Sequence, residues 1–254
     1  MQHNAQILDQ FTRQAEGFAQ AKTIRNENML ERMLQAAQCG PEHTTLDVAC
    51  GPGIVACAFA RVARHATGID LTPAMLEQAR KTQAAQGLTN VSWNLGDVTQ
   101  LPYRDGQFDV VTCRFVFHHL QEPLVVLKEM VRVCRPGGRI VVADTCPSAD
   151  RAEAYDRVER LRDPSHTHAL PPRDLVARFA AAGLPGALVE SFRLPDELDL
   201  LLAHSFPREE DIPRIRAMFE EAVEDDFLDM APSRRDGKIF FSFPVSIVAA
   251  QKNA

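Results

Sequence analysis

The sequence predicts an α/β fold in which a mostly parallel sheet carries helices on both faces. Two observations predict it. Short apolar runs suited to buried strands alternate with amphipathic helical segments between residues 44 and 145, and alternation of this kind folds into parallel βαβ units. The first two strands of the series end in signals of their own. Leu46-Asp47-Val48-Ala49-Cys50-Gly51-Pro52-Gly53 stops in a glycine turn, and Gly68-Ile69-Asp70-Leu71 stops on a carboxylate. Open parallel sheets bind ligands beyond the carboxyl ends of their strands. The pattern that predicts the fold therefore also marks where its chemistry should lie.

The elements follow in order. Leu8, Phe11, Ala15 and Phe18 fall at three- and four-residue steps and predict a helix over 7–19. A second helix is expected from about Lys22 to Gln38, stopped by Gly40-Pro41. Strand 44–49 leads to helix 54–63, and strand 66–70 to a helix capped by Thr72 with Pro73 at its first position. Strand 91–95 surrounds the sole tryptophan, Trp93, and strand 108–113 precedes a helix over 122–134. Arg135-Pro136-Gly137-Gly138 reads as a turn into strand 139–144. Helices near 150–162 and from Pro171-Pro172 to Ala182 lead to strand 187–194, and a last strand spans 238–250. Between these, 195–229 reads as an acidic helical insertion with one long helix over about 208–228. One domain is expected over 1–254, with its core at about 44–145.

Composition narrows the classes of function. The chain has 254 residues, 45% of them hydrophobic, and a net charge of −6. That balance argues against nucleic acid as a partner, because phosphate neutralisation needs a basic face. The first residues lack the basic and apolar regions of a signal peptide, and no apolar run approaches the ~20 residues that span a bilayer. The six cysteines form no C-x-x-C pair and fall mostly in apolar segments. A cytoplasmic protein with reduced core thiols is expected.

The glycine turn and Asp70 point to a cofactor that contains a nucleoside. Gly51 and Gly53 let the backbone approach a ligand closely. A carboxylate at 70 can accept both hydroxyl protons of a ribose. Gly51-Pro52-Gly53-Ile54-Val55-Ala56 formally satisfies G-x-G-x-x-G/A, so a nicotinamide dinucleotide competes. Asp47 weighs against it, since a carboxylate beside the turn would repel a pyrophosphate. S-adenosylmethionine, with an ammonium, a sulfonium and no phosphate, fits that charge.

Asp47-Val-Ala-Cys-Gly-Pro-Gly53, Gly68-Ile-Asp70, Gly96-Asp97-Val98, Phe108-Asp-Val-Val111 and Arg135-Pro-Gly-Gly138 occur in the order found in the class I S-adenosylmethionine-dependent methyltransferases. The chain resembles the group related to ubiquinone and menaquinone biosynthesis. It departs at Ala49, where many members carry glycine. The resemblance implies a Rossmann-like, seven-stranded sheet whose last strand runs antiparallel between the fifth and sixth. It also implies N-terminal helices over 1–40 that cover the cofactor as a lid, and a product, S-adenosylhomocysteine. The cofactor site it implies takes Asp47, Ala49, Cys50, Gly51 and Gly53 from the first turn. Asp70, Leu71 and Met75 follow from the second, then Asp97 and Val98 as the adenine contact. Arg114 and His119 come after the fourth strand.

The acceptor is expected to be a small molecule, and His118, in Arg114-Phe-Val-Phe-His-His119, is the candidate general base. Other readings stay open. One is an S-adenosylmethionine-binding enzyme of the same fold with a different reaction; the others are an NAD(P)-dependent oxidoreductase and a non-enzymatic binding module. His166 and His168 form H-x-H without a third ligand at metal spacing, so no metal site is expected and a loop near the substrate is.

Overall fold

The computed structural model describes residues 2–21 and 23–253. Two N-terminal helices, α1 (Gln2–Gln20) and α2 (Glu27–Ala37), precede the sheet. The start of the second differs from expectation. Lys22 lies outside the described residues, Thr23–Arg25 form a turn, and Asn26 caps α2 by accepting the Met29 N–H. An asparagine cap sets the first turn of a helix more firmly than apolar spacing does.

The core then runs β1 (Thr44–Val48), α3 (Ile54–Ala60), β2 (His65–Asp70), α4 (Pro73–Ala85), β3 (Val91–Leu95), β4 (Phe108–Arg114), α5 (Pro123–Val133) and β5 (Cys134–Thr145). A single 3₁₀ turn, Phe117–His119, lies between β4 and α5. Thr72 occupies the cap position of α4 but makes no side-chain cap bond; its N–H donates to Asp70 instead. Arg135–Gly138, expected as a turn, is already strand, as is Cys134, expected to end the helix before it. Cys134 pairs with Phe108, and a register irregularity follows before Arg139 meets Val110.

The last third adds α6 (Ala152–Arg162), α7 (Pro172–Ala181), β6 (Leu188–Glu197), α8 (Leu198–Ser205), α9 (Ile212–Asp225), β7 (Ser233–Arg235) and β8 (Lys238–Gln251). The acidic stretch holds α9 within the 208–228 expected for its long helix, and a shorter helix, α8, ahead of it. Phe206 ends α8 in the left-handed region, and Pro213 opens α9.

The sheet order is β3-β2-β1-β4-β5-β8-β6, with β7 paired to β8. The strands from β3 to β5 are parallel, and β8 runs antiparallel between β5 and β6 as expected. Seven strands form the expected path; the short β7 makes an eighth. Alternate residues of one strand feed opposite cores. Val110 and Val141 pack with Met29, Phe59, Tyr155 and Phe219, whereas Val111 and Val142 pack with Leu127, Met130 and Phe179. Strand order reverses between β1 and β4, and the loops leaving those strands part there to open a crevice.

Candidate active site

Asp70 organises the crevice. One carboxylate oxygen accepts the Gly51 N–H and the other the Thr72 N–H, both at 2.8 Å. It thereby ties the loop after β1 to the loop after β2. Ala49, Gly51 and Gly53 all take positive φ, at 54°, 52° and 76°. A Cβ on Gly51 would meet only Phe18, at 4.0 Å, whereas one on Gly53 would lie 2.5 Å from Trp93 and 2.9 Å from Ala79. Gly51 therefore keeps ligand space open. Gly53 lets α3 pack close to its neighbours and does not face the crevice.

Asp47 is buried, accepting the Ala56 N–H at 3.2 Å and the Thr112 hydroxyl at 3.1 Å. Burial raises its carboxyl to about 7, opposed by the Arg114 guanidinium. Arg114 donates to the Ile24 carbonyl at 2.9 Å, but its Nη1 is buried without a hydrogen-bond partner among the described residues. Burial lowers its pKa to about 10. Asp97 accepts from the Thr99 N–H and hydroxyl and from the Asn4 amide at 3.0 Å. Partial burial works against the anion, yet these bonds hold the carboxyl below its ordinary value.

These groups surround a cavity of about 380 Å³, within the range of small-molecule and cofactor sites. Asp47, Ala49, Cys50, Gly51, Asp70 and Leu71 line it, as do Met75, Asp97, Val98, Arg114 and His119. Of the twelve residues expected to contact a cofactor, only Gly53 is absent from the wall. Asn4, Ile7, Phe11 and Phe18 of α1 add a side that motif reading missed.

A second cavity of about 90 Å³ adjoins the first and shares Phe11, Phe18, Ile24, Phe115 and His119 with it. His118 lines this smaller space and not the larger. Its Nδ1 lies 2.5 Å from Asp144 Oδ1, and Asp144 also accepts the N–H groups of Val116, Phe117 and Thr145. Burial disfavours the imidazolium, but Asp144 prevails and raises the His118 pKa. For His119, burial and its neighbour His118 lower the pKa to about 3. Its Nδ1 meets the Ser165 hydroxyl at 3.0 Å, and that hydroxyl donates to Asp163 at 2.5 Å.

His166 and His168 are drawn to one carboxylate, Asp156, at 2.7 and 2.5 Å, and line neither cavity. These two side chains clasp Asp156, while Asp163 at the start of the same loop lines the smaller cavity. Glu159, Arg162, Asp163 and Asp196, which do face the smaller cavity, carry no sequence motif. Asp144 had a usable signal, a carboxylate near the C-terminal end of a parallel strand, as with Asp47 and Asp70.

Residues 46–142 match the family model of the methyltransferase domain. The chain is 31% identical over 191 residues to the uncharacterized methyltransferase YcgJ of Bacillus subtilis (strain 168), covering 74% of this chain and 76% of that one. The chain belongs to the class I S-adenosylmethionine-dependent methyltransferases. The crystal structure of YcgJ superposes on this methyltransferase with a TM-score of 0.83 at 26% identity, covering 90% of this chain and all of the other. A putative methyltransferase of Bacillus halodurans gives 0.81 at 26% identity, over 89% of this chain and all of its own. The ubiquinone/menaquinone biosynthesis C-methyltransferase of Roseobacter denitrificans is 40% identical over 116 residues, 44% of this chain and 46% of that protein. This methyltransferase thus spans under half the length of that relative. Among the described residues, no helix is long and apolar enough to cross a membrane.

Proposed function

We propose that this methyltransferase holds S-adenosylmethionine in the larger cavity and methylates a small molecule seated in the smaller one. One observation carries the reading: a buried, unpartnered guanidinium nitrogen of Arg114 shares a cavity wall with Asp47, Asp70 and Asp97. That arrangement complements a ligand with one carboxylate, one ammonium and a nucleoside. It opposes a dinucleotide, whose two phosphates would face three carboxylates.

Each group has a part. Arg114 Nη1 receives the amino-acid carboxylate, and Asp47 faces its ammonium. Asp70 has lone pairs left for ribose hydroxyls beyond its two backbone bonds, and Asp97 accepts the adenine amine. The bound cofactor supplies a methyl group on a positively charged sulfur, already activated for transfer. Phe11, Phe18, Ile24 and Phe115 exclude water between the two spaces, and α1 with the turn after it acts as their cover. His118, steadied through Nδ1 by Asp144, takes the proton the acceptor loses on its other ring nitrogen.

Calorimetry with S-adenosylmethionine, S-adenosylhomocysteine, 5′-methylthioadenosine and NAD tests the reading. Arg114→Met is expected to weaken S-adenosylhomocysteine binding roughly tenfold or more, the worth of a hydrogen bond between charged groups. It should leave 5′-methylthioadenosine, which lacks the amino-acid part, unchanged. Binding of NAD with none of S-adenosylmethionine would overturn it.

A further inference from the structure

The smaller cavity is built on two kinds of wall. One is apolar and largely aromatic: Phe11, Phe18, Phe115, Leu194, Leu201 and Phe243. The other is ionic, with Glu159, Asp163 and Asp196 set against Arg162 and the imidazole of His204. Pairing these charges leaves an excess of one sign. Glu159 and Arg162 form a two-pronged pair, at 3.0 Å and 2.5 Å. His118, in the same wall, is held by Asp144, which lines neither cavity. Asp163 and Asp196 remain. Asp163 is occupied by the Ser165 N–H and hydroxyl. Asp196 accepts the Glu197 N–H at 2.8 Å and has Thr23 beside it.

We propose that the acceptor carries a cationic amine head group, held in the smaller cavity by Asp196 and by the faces of the surrounding phenylalanines. This rests on the reading of that cavity as the acceptor site. An ammonium gains from a carboxylate at one end and from aromatic rings around its alkyl portion. A carboxylate or phosphate would instead meet Asp163 and Asp196 with its own charge, and Arg162 is already engaged by Glu159. Burial raises the Asp196 carboxyl above its ordinary value despite Arg162 and His204 nearby. That is the direction in which desolvation moves a buried acid.

Three probes of one size and different charge separate the possibilities: n-butylamine, 1-butanol and butyrate. Each is titrated into the full-length protein with and without saturating S-adenosylhomocysteine, and binding is followed by ligand-observed NMR. The amine is expected to bind about tenfold more tightly than the alcohol, as one charge-assisted hydrogen bond warrants, and butyrate more weakly than either. In Asp196→Asn the amine should lose that advantage while S-adenosylhomocysteine affinity stays within about twofold, which also reports folding. Butyrate binding as tightly as the amine, no detectable amine binding, or an amine preference that survives Asp196→Asn overturns the proposal. The wild-type contrast decides even if the variant does not fold. Failure of S-adenosylhomocysteine to bind at all strikes the methyl-transfer reading, whereas the amine series without it still reads the charge of the cavity.

Discussion

His118 Nδ1 and Asp144 Oδ1 lie 2.5 Å apart, and the second oxygen of the same carboxylate holds the N–H groups of Val116 and Phe117. One buried acid thus fixes both the ring and the backbone that presents it. Its removal should be felt in stability as well as in turnover. The His118 pKa is raised in the folded state. Its contribution is therefore complete below the unfolded value of about 6.5 and lost as the pH rises through the folded value. Asp144, held below its ordinary value mainly by His118 against the effect of burial, loses its share only in acid. Asp144→Asn is expected to cost about 3–5 kcal/mol at pH 6 and less at pH 9. Urea unfolding at the two pH values measures the difference.

Asp70 should show a different balance. Asp70→Ala removes the acceptor of the Gly51 and Thr72 N–H groups as well as the proposed ribose contact. Cofactor affinity is expected to fall by about 1.5–3 kcal/mol, with a smaller fall in Asp70→Asn. Calorimetry on variants whose circular dichroism matches wild type is the check. Unchanged affinity would remove Asp70 from the site.

Asp47 lies between stability and binding. Its folded carboxyl is raised to about 7, so its stability term is most favourable below the ordinary value of about 3.9 and declines as the pH rises towards 7. Asp47→Asn should therefore stabilise the unliganded protein at pH 8. The same change should weaken S-adenosylhomocysteine by about 1–2 kcal/mol there. It should also flatten the tightening expected of wild type between pH 6 and 8. Thermal unfolding and calorimetry across that range test both signs.

Gly51 and Gly53, two residues apart, should fail in different ways. An alanine methyl at 53 meets Trp93 and Ala79 at φ 76°, and Gly53→Ala is expected to cost about 1–3 kcal/mol with a shift in the emission of Trp93. Gly51→Val should leave that emission in place and abolish cofactor binding. Fluorescence with calorimetry on both variants separates a packing glycine from a ligand-facing one.

Much of this was legible in the chain because the signals are local. The strand-turn-helix signal at 46–56 and the carboxylates at 47, 70 and 97 sit in contiguous motifs, and strand ends place them together. Asp196, Glu159 and Phe243 meet only because β6, α6 and β8 converge, and no short-range pattern records that. The misread boundaries have equally plain causes. Asn26 outweighs the apolar spacing before it, and Arg135–Gly138 is taken into β5 between Cys134, paired with Phe108, and Arg139, paired with Val110, despite its turn-forming residues. The α8 segment, Leu198–Ser205, carries leucines at 198, 200, 201 and 202, too continuous to show a helical face.

Phe11 and Phe18 belong to both cavities, and Asn4 of the same helix reaches Asp97. The two cavities therefore share a ceiling contributed by α1, while the floor comes from strand ends far along the chain. On the proposed reading, choice of acceptor can then diverge between relatives by rewriting that short N-terminal stretch, with the residues proposed to grip the methyl donor left as they are.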